Sequence, residues 1–191
     1  MAEASLEQIE NFIGNSLILG SAVHRVIEAG ALREAAGEDL TGSQLKLLKL
    51  LSLSRSHTLG EVAAFLGISN AAASKAVDKL VGRMLLRRTE GEKDRRSVSL
   101  TLTDPARRIL AAYDAALHHK LKEIFEPFSG EELNQATEML NGYTARILRR
   151  DESATEVCLQ CGMYFPERCV REQVGVACNY MTRRGQKDGN E

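Results

Sequence analysis

The chain has 191 residues, 43% of them hydrophobic and 27% charged, with a formal net charge of −1. This is a soluble globular composition, long enough to bury a core, and no stretch approaches the roughly 18 apolar residues of a membrane span. The first ten residues carry three Glu and no Lys or Arg, which excludes a secretory signal, so a cytoplasmic location is expected.

A near-neutral total conceals a local asymmetry. Residues 71–108 hold ten basic and five acidic side chains, a net of +5. The total of −1 rules out a uniformly basic coat, but this segment leaves a basic surface of the kind that meets nucleic acid.

The predicted elements follow in chain order. Residues 4–35 repeat Leu6, Ile9, Ile13, Leu17, Val23 and Ile27 at helical spacing, with Phe12, Ile18 and Val26 widening the stripe. Gly14, Gly20 and Gly30 are expected to bend or end this helix. Thr41 and Gln44 form a capping box that opens a helix bearing Leu45, Leu47, Leu48 and Leu51. A second box, Thr58 and Glu61, opens a short helix with Val62, Ala63, Phe65 and Leu66, broken at Gly67. Ser69 caps the next, which carries Ala73, Ala76, Val77 and Leu80.

Residues 97–103 alternate polar and apolar, the pattern of a half-buried strand, and Leu85 and Leu86 begin its partner. Residues 90–96 form a charged loop between them. Asp104 is expected to cap a helix with Pro105 at its first position. That helix bears Ile109, Leu110, Tyr113, Leu117, Leu121, Ile124 and Phe125. Ser129 and Glu132 form a third box before a helix with Leu133, Ala136, Leu140, Tyr143 and Ile147. The helical period is lost after Asp151.

The order helix, turn, helix, hairpin with a basic tip is that of a winged helix-turn-helix. The fold class is therefore mostly α with a small β-wing. Residues 1–40 and 104–150 supply dimerisation helices, residues 41–103 the winged domain, and residues 151–191 a tail. The two helical segments hold more apolar surface than one small winged domain can cover. A helix can offer its N-terminal residues to base edges in a major groove, while a basic loop reaches the minor groove or the phosphates. Asn70, Ala71, Ala72, Ser74 and Lys75 are expected on the outer face, with Ala73, Val77 and Leu80 inward. Lys79, Arg83, Arg87 and Arg88 suit phosphates, and Asp94, Arg95 and Arg96 sit at the hairpin tip.

Here the chain resembles the multiple-antibiotic-resistance regulator (MarR) family. The resemblance rests on residues 40–48, 58–63 and 69–80, and above all on Asp94-Arg-Arg96 followed by the alternating strand through Thr103. With the flanking helices it covers about residues 5–150. It implies a homodimer with intertwined terminal helices, two winged domains on a near-palindromic duplex DNA operator, a repressor role and a possible small-molecule effector. It also implies that Arg96 enters the minor groove, braced by Asp94. One departure concerns the residue after the recognition helix, where the family has glycine and this chain has Met84-Leu85.

All four cysteines lie in the last 34 residues, as Cys158, Cys161, Cys169 and Cys178 in the spacing C-x2-C-x7-C-x8-C. In a cytoplasmic protein this clustering favours a metal over disulfides, and the metal would supply folding energy to a small tail. An iron–sulfur cluster tolerates the uneven spacing, zinc fits four thiolates, and a metal-free thiol switch through Cys158 and Cys161 is the third option. His24, His57, His118 and His119 are dispersed and read as surface or core residues. Nothing resembles a catalytic constellation, so no enzyme is expected. Two readings result: a DNA-binding regulator with a metal- or redox-sensing tail, and a small metalloprotein whose winged domain contacts protein.

Overall fold

Helix-start chemistry sets most of the element boundaries. A computed structural model of the chain describes residues 3–37, 39–53, 58–90 and 98–150, together with Gln160, Cys161 and Tyr164. Helix α1 spans Leu6–Ala22, and a π-helical segment, Val23–Glu28, carries it into α2, Ala29–Ala36. Three further helices are α3 (Gly42–Ser52), α4 (Leu59–Leu66) and α5 (Asn70–Gly82). Strands β1 (Leu86–Glu90) and β2 (Val98–Leu102) pair antiparallel, and α6 (Asp104–Phe125) and α7 (Gly130–Arg150) follow.

The three expected capping boxes are present. Gln44 N–H donates to the Thr41 hydroxyl, Glu61 N–H to that of Thr58 and Glu132 N–H to that of Ser129, and each side chain returns a bond to its cap. Each satisfies N–H groups that a helix start leaves without partners. Ser5 and Gln8 form a fourth box, which fixes the start of α1.

Two expectations shift. Gly14, Gly20 and Gly30 all stay helical, and the distortion falls on the π-helical turn instead. The cap of α6 is Thr103 rather than Asp104. The Thr103 hydroxyl accepts from Ala106 N–H and donates to the Met84 carbonyl at 2.7 Å, so it caps the helix and ties it to the start of the wing at once. Asp104 moves into the first turn, where its charge suits the helix dipole.

One core joins α2–α5, the hairpin and α6. Leu47, Leu48, Val62, Ala73, Val77 and Leu80 are fully buried within it. In the strand register Leu86 faces Leu102 and Arg88 faces Leu100, so Leu86, Leu100 and Leu102 turn one face of the hairpin to this core. The faces of α1 and α7 are different. Leu6, Leu17 and Ile18 on α1 and Ile147 on α7 are each more than 60% exposed. The two helices meet at Phe12 and Tyr143, whose ring centroids lie 4.7 Å apart. Among the described residues no helix is long and apolar enough to cross a membrane.

Candidate nucleic-acid interface

The turn between α4 and α5 is built by Gly67. Its φ of +66° is left-handed, a conformation that strains any side chain with a Cβ. It lets Ile68 N–H return to the Ala63 carbonyl at 3.1 Å and close α4. Ser69 then caps α5, accepting from Ala72 N–H at 3.2 Å.

This start fixes the rotation of α5. Ala73, Val77 and Leu80 point into the core, leaving Asn70, Ala71, Ala72, Lys75 and Lys79 exposed as expected. Ser74 is only half-buried, and its hydroxyl donates to Asp78 at 3.4 Å. The first turn is therefore slim, and Lys75 and Lys79, four residues apart, lie on one side of it.

The end of α5 sets the entry to the wing. Met84 N–H bonds the Val81 carbonyl and Leu85 N–H bonds the Leu80 carbonyl, each at 2.9 Å. These two bonds make a Schellman motif. Its left-handed position is Met84, at φ +56°. The Met84-Leu85 departure noted above thus lies where glycine is favoured, and methionine adopts the conformation instead.

Arg87 and Arg88 are both exposed, but the register separates them. Arg87 lies on the hairpin face turned from the core. Arg88 lies on the opposite face, where its Nη1 meets Asp78 on α5 at 2.8 Å. Arg83 donates to the Asp39 carbonyl and braces the end of α5. Sequence reasoning missed Asp78, an acid among the bases, because only the strand register brings Arg88 to it. Asp94, Arg95 and Arg96 lie outside the described residues.

Of the cysteines, Cys161 is described and half-buried, while Cys158, Cys169 and Cys178 lie outside the described residues. Among the described residues no three His, Cys, Asp or Glu side chains are grouped to hold a metal.

The neighbourhood of Cys161 has no counterpart in the sequence reading. A cleft of about 140 Å³ opens between α3 on one side and the π-helical segment, α2 and α6 on the other. Glu28, Lys46, Lys49, Tyr113 and Tyr164 line it. Glu28 accepts from His24 Nδ1 at 2.9 Å and shares the cleft with Tyr164. Burial, and then the Glu28 charge, push the pKa of Tyr164 up to about 12 and that of buried Tyr113 still higher. Lys49 Nζ lies 4.6 Å from the Tyr113 ring centroid and 3.3 Å from Asp114.

Comparison with known proteins gives a consistent set of relatives. The MarR family model matches residues 40–98, which run from the start of α3 into β2. The HTH-type transcriptional regulator YvnA of Bacillus subtilis is 33% identical over 108 residues, covering 54% of this chain and 68% of YvnA. The crystal structure of RV1404 from Mycobacterium tuberculosis matches at a TM-score of 0.64 and 25% identity, over 75% of this chain and 95% of that one. The transcriptional repressor CouR, solved on a 23-mer DNA duplex, matches at a TM-score of 0.56 and 28% identity, over 75% and 99%.

Proposed function

The chain belongs to the MarR family of DNA-binding transcription regulators, and on that premise we propose that it is a homodimeric repressor of a near-palindromic operator. The carrying observation is the exposed face of α5: a slim N-terminal turn followed by Lys75 and Lys79, with Arg87 on the adjoining strand. Asn70, Ala71 and Ala72 approach the base edges, Ala71 and Ala72 offering apolar contact to thymine methyls. Lys75, Lys79 and Arg87 hold phosphates, and Arg95 and Arg96, braced by Asp94, enter the minor groove. The repressor CouR on its 23-mer duplex supports this reading over one in which the winged domain contacts protein.

Exposed apolar residues on α1 and α7 support the homodimer. Contiguous apolar faces of this kind mark association sites. A two-fold axis lets the same face cover itself, and it presents two recognition helices to two half-sites. The tail adds a metal centre or redox sensor: Cys158, Cys161, Cys169 and Cys178 supply four thiolates, a donor set for zinc or an iron–sulfur cluster.

The test is binding to random-sequence duplex DNA across a salt series. Log affinity should fall linearly with log salt, at about 0.9 per phosphate neutralised. Failure to bind at low salt would exclude DNA as the partner.

A further inference from the structure

Two described residues of the tail, Gln160 and Tyr164, face two parts of the molecule. Gln160 Nε2 donates to the Phe65 carbonyl at 3.0 Å, on α4, and Lys46 Nζ on α3 donates to Gln160 Oε1 at 3.3 Å. Both partners belong to the winged domain. Four residues on, Tyr164 lines the same cleft as Glu28, which lies in the π-helical segment of the dimerisation arm. Between these two residues the chain turns back: Gln160 is left-handed at φ +54°, and Tyr164 N–H bonds the Cys161 carbonyl at 3.0 Å. Cys161, half of the Cys-x-x-Cys pair, lies inside that turn.

The arm is irregular at this cleft. A π-helical turn departs from the α-helical hydrogen-bond pattern, and such turns are frequent at functional sites. Here the turn holds both His24 and Glu28, with Glu28 directed into the cleft. Tyr164 remains 55% exposed, so it covers the rim of the cleft and does not fill it. About a quarter of this chain lies outside the match to RV1404 and CouR, each of which is spanned almost completely.

We propose that Gln160–Tyr164 is a clasp through which the state of the cysteine site sets how the winged domain is held against the dimerisation arm, and thereby sets operator affinity. This rests on the four-cysteine reading above. Metal held by Cys158 and Cys161 fixes the turn between Gln160 and Tyr164. Losing the metal frees the turn, so the two residues no longer keep a fixed separation. Two recognition helices must match two half-sites at one spacing, so a change in how each winged domain is held changes affinity without altering any DNA-contacting residue.

The experiment measures the affinity of the full-length protein for a selected operator duplex, both as purified with its metal and after chelation, with zinc and iron quantified. Wild type should change affinity by about 5- to 150-fold on stripping, the usual size of allosteric coupling. The Gln160→Ala/Tyr164→Phe variant should keep its metal, and its two states should agree within about twofold. Glu28→Ala removes the arm's acid from the same cleft and leaves the tail sequence intact. It should flatten the response likewise, which covers the case in which the tail variant loses metal. A wild-type-sized response in Glu28→Ala, or in a metal-loaded tail variant, overturns the clasp while leaving the cysteine site standing. So does a wild type that binds metal with no change in affinity. If wild type carries no metal, the cysteine reading fails, and the clasp is then judged on operator affinity alone. A change of about fivefold or more in the tail variant supports it, and equality overturns it.

Discussion

Replacing Met84 by glycine should stabilise the protein, and the magnitude follows from its backbone. Met84 closes the recognition helix at φ +56°, in the left-handed position of the Schellman motif. A side chain with a Cβ costs about 1–2 kcal/mol there. Glycine removes that strain but gives back about 0.5–1 kcal/mol through its greater freedom in the unfolded chain. The side chain is 75% exposed, so little burial is lost with it. The net gain is centred on about 0.75 kcal/mol, within a span of about 0–1.5, which for a chain of this size raises Tm by up to roughly 6 °C. Urea unfolding followed by circular dichroism measures it, at one fixed protein concentration because the stability of the proposed homodimer would depend on concentration. Met84→Ala is the control. It keeps the Cβ, hence the strain, and should stay within about 0.5 kcal/mol of wild type. Destabilisation by glycine, or equal stabilisation by alanine, would refute the reasoning.

Lys79→Ala should reduce the slope of log affinity against log salt by about 0.9, through one lost phosphate contact, while thermal stability stays within about 0.5 kcal/mol. Asp78→Asn removes an acid from the exposed side of α5 and releases Arg88. Affinity for random duplex at low salt should rise about tenfold, and stability should change by no more than about 1 kcal/mol, because the Asp78–Arg88 pair is exposed. Tyr164 titrates above an unfolded tyrosine, so folding favours its neutral form. Its stabilising contribution is complete below about pH 10 and is lost as pH rises from there to about 12. The tyrosinate absorbance difference between wild type and Tyr164→Phe should accordingly have its midpoint near pH 12, and a midpoint near 10 would show the hydroxyl to be unenclosed.

Most of the fold was legible because its signals are local. Each capping box joins residues three apart, and the alternation that marks β2, Val98–Leu102, lies within one strand, so no distant partner is needed to read either. The outward face of α5 followed from helical period and the Ser69 cap. Signals that depend on distant chain were not legible. The cap of α6 is Thr103 because its hydroxyl also reaches Met84, nineteen residues back. Arg88 reads as a phosphate ligand until the register places it beside Asp78. The π-helical turn has no period of its own to show. The tail's hold on Lys46 and Phe65 spans separations of 114 and 95 residues, which no pattern along the chain records.

Selection from a library of random duplexes, followed by measurement of the mass of the bound species, addresses the dimeric regulator most directly. The recovered site should show two inverted half-sites with centres about one helical turn apart, roughly 10–10.5 base pairs or a multiple of that. The complex should contain two chains per duplex, and Lys75→Ala should weaken it. Absence of enrichment, or an asymmetric site bound by a single chain, would contradict the account.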